Sequence, residues 1–365
     1  MKKKQLAYLL LAGLLAASCQ QEELPGGGEL SDSGIIFTSD YTLSRSIAKT
    51  TFSQGDKVGV LGYCLDENER YGESDWNTKK LFVKPDVFYN QELTFDGTGL
   101  WKYNYNNQGL RKWYDNPKYQ YSFFAYYPYA NVSEYYNQGT VTIGGKNMGT
   151  IQLSSKTAVS DPVLTYTMPH SGSRSTDELD RTQTPDLMVA YNIDRTSGEG
   201  PVKMDFRHLL CGMEFEVNNF TEQNVVISEL QFSSSNFYKT IKVTGQNQGT
   251  EVSGNYSGTF TVIADTDANI TCPPNGKKRI VDTEGEPIDL LLIANENGNI
   301  TLSGSTPYLY VKFDGKLRTF TLSGLKFQPG VKNVFTINFI GNDVVLEMRA
   351  TDNWEDGGDS DITFE

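Results

Sequence analysis

The chain has 365 residues, enough for two domains of ordinary size, and carries 45 Asp and Glu against 32 Lys and Arg, a formal charge of -13. An acidic surface repels phosphate backbones, which sets nucleic acid aside as a partner. The 21 Tyr, 19 Phe and 34 Gly fall in short aromatic and β-branched runs broken by Gly, Asn and Asp turns, the composition of an all-β, antiparallel protein.

Met1–Ser18 opens with Lys2, Lys3 and Lys4 and continues as an apolar run, Leu6–Ala17, too short and wrongly flanked to span a membrane. It ends Leu15-Ala16-Ala17-Ser18-Cys19, which looks like a bacterial lipobox, so residues 1–18 read as a lipoprotein signal peptide and Cys19 as the lipidated residue. Residues 19–34, with Gln20-Gln21-Glu22-Glu23 and Pro25-Gly26-Gly27-Gly28, read as a flexible tether.

A first short strand is expected near Ile35–Phe37, and a turn at Gln54-Gly55-Asp56 feeds a second over Val58–Leu65. Asp66–Asn77 reads as a charged loop. Leu81–Phe95 and Leu100–Tyr105 alternate aromatic with polar residues, and Tyr119–Tyr127 reads as a buried strand that leaves its sheet at Pro128. Val141–Ile143 and Ile151–Leu153 are short strands, and Asp161–Thr182 is a polar loop. Asp186–Tyr191 is a strand, Asp194–Pro201 a polar connector, and Val202, Met204 and Phe206 share one face of a long alternating strand.

The connector is taken as the joint between two β domains, residues 35–195 and 196–365. In the second, Val225–Phe232, Thr240–Val243, Thr259–Ile263 and Ile288–Ala294 read as strands. Tyr308–Phe313 and Lys316–Leu322 flank Asp314-Gly315, the favoured two-residue hairpin turn. Asn333–Ile340 and Val344–Arg349 alternate, and Thr351–Glu365 reads as an acidic, solvated tail around Trp354.

Catalytic chemistry is sparse, and no enzyme is expected. His170 and His208 are the only histidines, and no phosphate loop, nucleophile elbow, zinc helix or dinucleotide fingerprint occurs. No catalytic residue, metal site or cofactor is therefore assigned. Asp356, Asp359 and Asp361 do not match the spacing of a calcium loop. Cys64, Cys211 and Cys272 form no recognisable disulfide or metal pattern. Trp101, Tyr103, Tyr105 and Trp113 could stack on sugars, but packing in an aromatic-rich sandwich accounts for them without a ligand.

Several pieces in order resemble the fimbrillin family, the lipoprotein pilins of Bacteroides-type bacteria. They are the lipobox at Cys19, an Arg-containing segment before Phe52–Val60, Phe123–Pro128, Pro185–Ala190, Val202–Leu210, Phe327–Gly330 and Trp354. The resemblance implies two transthyretin-like antiparallel β-sandwich domains in tandem. It implies an outer-membrane lipoprotein that partners other pilin subunits of the same or related type and touches host or bacterial surface ligands. It also implies assembly by β-strand exchange: a protease cuts between Arg45 and Ser46, removing a first strand within Ile35–Leu43, and a neighbour's strand refills the groove. The donor is expected in Asn333–Arg349, through Phe335, Ile337, Phe339, Val344 and Leu346. The alternative is a monomeric surface lipoprotein that binds glycans or peptides.

Overall fold

The structure, a computed structural model, describes residues 30–39, 52–65, 75–114, 119–169, 185–245, 249–263, 269–280, 290–293, 308–322, 327–351 and 361–364. Among the described residues strands dominate, and they fall into three large sheets and one two-stranded ribbon.

The described residues begin with β1 (Leu30–Gly34) and β2 (Phe37–Thr38), followed by β3 (Lys57–Leu65) and a helical turn, α1 (Trp76–Lys79). Then come β4 (Phe88–Phe95), β5 (Leu100–Lys102), β6 (Lys112–Tyr114) and β7 (Gln120–Tyr127). β1 and β6 make the ribbon; β2, β5, β4, β3 and β7 lie side by side in the first sheet. β7 is buried on both faces: Phe123, Ala125 and Tyr127 enter one core, and Phe124 and Tyr126 the other. A strand covered on both sides needs apolar residues without alternation, which is how Tyr121–Tyr127 reads.

β8 (Gln138–Ile143), β9 (Lys146–Leu153) and β10 (Val163–Thr167) leave for the second sheet. Val163–Thr167, within the polar loop expected over Asp161–Thr182, is therefore a strand, and residues 170–182 lie outside the described residues. Leu164, Tyr166 and Met168 alternate into the core, while the threonines between them mask the pattern.

β11 (Met188–Arg195) returns to the first sheet beside β7. β12 (Val202–Lys203) pairs with β2 at one end of that sheet, and β13 (Arg207–His208) pairs with β11 at the other. Only Met204, Asp205 and Phe206 separate these two strands, a reach of about 14 Å. The sheet is thus rolled until its ends meet, around a core of Phe37, Val60, Phe88, Phe95, Trp101, Phe123, Met188 and Val202. The expected alternation of Val202 and Met204 holds, but β12 is short because the chain must cross from one end of the roll to the other. The passage to the third sheet comes at Leu209–Leu210, after the connector.

β14 (Cys211–Asn219) opens the third sheet. The segments expected as separate strands at Val225–Phe232 and Thr240–Val243 are one 20-residue strand, β15 (Val225–Thr244). Register shifts near Leu230 and Ser234 bend it, and bulges of this kind hide a long strand from a period-2 reading. β16 (Gly249–Ile263) and β17 (Ile270–Cys272) pair with β15, then β18 (Gly276–Arg279) and β19 (Leu290–Leu292) flank β14.

β20 (Tyr308–Phe313) and β21 (Lys316–Thr321) form the expected hairpin. Its turn residues Asp314 and Gly315 both have positive φ, 46° and 72°. β22 (Lys332–Ile340), β23 (Asp343–Thr351) and β24 (Asp361–Phe364) complete the third sheet, with β22 parallel to β14. The tail is therefore a strand at 361–364, while Trp354, Asp356 and Asp359 lie outside the described residues.

β10 and β15 are paired from Val163–Thr244 to Thr167–Thr240, so the second sheet takes strands from both sides of residue 195. One hydrophobic core runs from the outer face of the first sheet, at Leu61 and Tyr126, through the second sheet to Phe215 and Phe335 of the third. Among the described residues no helix is long and apolar enough to cross a membrane.

Candidate functional site

The described part of Ile35–Leu43 sits inside the first sheet, in a slot between β5 and β12. β2 runs antiparallel to β5, with Phe37 opposite Trp101, and parallel to β12, with Phe37 opposite Val202. Side chains alternate: Ile35, Phe37 and Ser39 point inward and are buried, while Ile36 is 40% exposed.

Backbone bonds hold both edges. Ile35 N donates to Arg111 O at 2.7 Å and Ser39 N to Gly99 O at 3.1 Å. From the other side Val202 N donates to Ile36 O and Met204 N to Thr38 O, each at 2.7 Å. A strand so placed satisfies amides that would otherwise be orphaned on β12.

Three sets of contacts hold the inward side. The Ile35 carbonyl accepts from Tyr103 Oη at 2.7 Å, and burial pushes the Tyr103 pKa well above its ordinary value, so the phenol remains a donor. Phe37 meets Phe123, Phe88 and Tyr103 edge-on, with centroids 5.1, 5.9 and 6.0 Å apart. Ser39 Oγ accepts from Trp101 Nε1 at 3.0 Å. The Trp101 ring is clamped by Phe52 at 4.8 Å and Phe95 at 5.0 Å, with Phe206 at 6.0 Å. Burying Ile35 and Phe37 is worth roughly 1.5–3 kcal/mol each.

The slot joins residues that lie far apart in the sequence. Ile35–Phe37 is legible as a strand, but its walls, Trp101, Tyr103 and Val202, lie far along the chain. The aromatic residues weighed as a sugar platform are packed here instead: Trp101 and Trp113 are buried, and Tyr103 and Tyr105 pack against the same core. Cys19, Arg45 and Ser46 lie outside the described residues, as does His170.

His208 Nδ1 lies 2.8 Å from Asp186 Oδ1 on a buried carboxylate, an arrangement that pins β13 to the start of β11. Among the described residues no group of His, Cys, Asp and Glu could hold a metal ion. Phe335, Ile337 and Phe339 on β22 and Val344 and Leu346 on β23 are buried in this chain's own third sheet. β22 is paired on both sides, to β14 and β23, whereas β24 forms the end of that sheet.

A family model described as fimbrillin-like matches residues 44–354. None of the curated proteins matches the chain. Among solved structures, a fimbrial protein from Bacteroides vulgatus superposes with a TM-score of 0.56 at 18% identity, covering 88% of this chain and 99% of that one. A candidate cell adhesion protein from Bacteroides ovatus superposes with a TM-score of 0.49 at 13% identity, covering 89% of this chain and 99% of that one.

Proposed function

The chain belongs to the fimbrillin-like family, and from that premise we propose that it is a fimbrial subunit whose leading strand keeps a place for a neighbour's strand. The observation that carries this reading is the position of β2, hydrogen-bonded on both edges and filling apolar pockets near the start of the chain.

Arg45 and Ser46 fall in the sequence between β2, which ends at Thr38, and β3, which begins at Lys57. While the chain is whole, β2 faces its slot at an effective concentration on the order of millimolar. A cut after Arg45 makes two contacts bimolecular, that of β2 with its slot and that of β1 with β6, so the cut segment can leave on dilution. The emptied slot then exposes β12 amides and the Phe37 pocket, and another strand satisfies both.

For the donor we look to the C-terminal region. β22 and β23 supply the centre of the third sheet, so Phe335, Ile337, Phe339, Val344 and Leu346 leave it only at the expense of its core. Among the described residues β24 is paired on one side alone, and it is the part of that region most readily given to a neighbour. Lipidation at Cys19 would bring the subunit to the outer membrane before the cut, and its role there is structural.

Limited digestion of the purified precursor with a trypsin-like protease tests the reading. The expected result is a new N-terminus at Ser46 together with oligomers that survive SDS. A cut chain that stays monomeric would contradict it.

A further inference from the structure

The slot's innermost polar contact discriminates among incoming strands. The Trp101 indole N–H points at Ser39 Oγ at 3.0 Å, and the ring is 3% exposed. Phe52, Phe95 and Phe206 reach that ring from three separate parts of the chain, so it cannot easily swing away to find another acceptor. When β2 departs, this donor is left facing an apolar slot. A buried donor without an acceptor is costly, and the cost falls on any replacement strand that lacks one.

We propose that the slot accepts a strand of defined chemistry: an aliphatic residue, then a large aromatic, then a small hydroxyl residue, at alternate positions. The aliphatic fits where Ile35 sits and the aromatic where Phe37 meets Phe123, Phe88 and Tyr103. The hydroxyl oxygen of Ser or Thr accepts a hydrogen bond from the Trp101 indole N–H. Proline is excluded at the first and third inward positions, because the amides of Ile35 and Ser39 donate to Arg111 and Gly99. The direction is set as well, since the occupant runs parallel to β12 and antiparallel to β5. Tyr103, by contrast, binds a backbone carbonyl that every strand carries, so Trp101 is the wall residue that reads a polar side chain.

This inference rests on the strand-replacement reading above, and its test separates the two. The full chain is cut after Arg45, and a fluorescent peptide spanning Ser33–Asp40 is incorporated in place of the resident N-terminal segment. Unlabelled peptides varied at the Ser39 position then compete. Thr is expected to compete within about threefold of Ser, and Ala and Val about tenfold more weakly. In the Trp101→Phe variant, which keeps a ring but removes the donor, the four peptides should compete equally. Ala competing within twofold of Ser in the wild-type chain overturns the proposal and leaves strand replacement standing. Failure of every peptide, the native one included, to enter the slot overturns both. The wild-type series decides the matter even if Trp101→Phe does not fold.

Discussion

Trp76 donates its indole N–H to Asp161 Oδ1 at 3.1 Å, tying the helical turn between β3 and β4 to the loop that leads into β10. The first sheet is thereby fastened to the second. The Trp76 backbone N–H donates to Asp194 on β11 at 2.7 Å, and Lys80 Nζ sits 2.8 Å from the other Asp161 oxygen. The ring packs on Tyr63 and Phe124, at 4.8 and 4.9 Å, and is fully buried.

Asp161→Ala leaves both the indole and Lys80 without this partner and should destabilise the fold by about 1–3 kcal/mol. Asp161→Asn keeps an acceptor for the indole and should cost less than half as much. Denaturant titration checks both, the expected signature being a lower midpoint with an unchanged slope.

Asp86 gives the fold a dependence on pH. Burial raises its pKa from 3.8 to about 6, against smaller opposing effects from hydrogen bonds at its own and the Cys64 backbone. One of its oxygens is buried with no hydrogen-bond partner among the described residues. Folding therefore favours the protonated carboxyl: its contribution is fully present below about pH 4 and is lost as pH rises through about 6. Asp86→Asn should raise stability at pH 7.5 by about 1–2 kcal/mol. It should also flatten the decline between pH 4 and 7 in melts recorded across that range.

Glu214 is a buried anion on β14 held from two sides, by Lys332 Nζ at 2.9 Å and by Arg279. Glu214→Ala strands the buried Lys332 charge and should cost about 3–5 kcal/mol. Lys332→Met leaves Glu214 with Arg279 and should cost less. The double change Glu214→Leu with Lys332→Met should recover most of the loss, because the pair vanishes together. Chemical denaturation of the three variants checks the ranking.

Cys19→Ala should abolish acylation and move the protein from the membrane fraction to the soluble one. Metabolic labelling with a fatty-acid analogue, followed by fractionation, reads both effects. Unchanged retention would count against the lipid anchor.

The strands most readable in the sequence were those whose pattern is local. Tyr121–Tyr127 is apolar throughout because both faces are covered, and Asp314-Gly315 announces its hairpin through two residues that tolerate positive φ. β10 was hidden because Thr165 and Thr167 dilute its alternation, and β15 because its bulges shift the inward phase near Leu230 and Ser234. The division at residue 195 follows a change in composition, but pairing between Val163–Thr167 and Thr240–Thr244 depends on contacts more than seventy residues apart. The slot shares that property. Its occupant reads as Ile35-x-Phe37, while Trp101, Tyr103 and Val202 become its walls only when the sheet rolls up.

The central claim is that a neighbour's strand lies where β2 now lies. Hydrogen exchange at the amides of Val202 and Met204, which donate to Ile36 and Thr38, tests it most directly. Both amides should be protected in the precursor, exchange rapidly in a cut monomer stripped of the segment that carries β2, and regain protection in the assembled oligomer. Oligomers in which these two amides stay unprotected would contradict it.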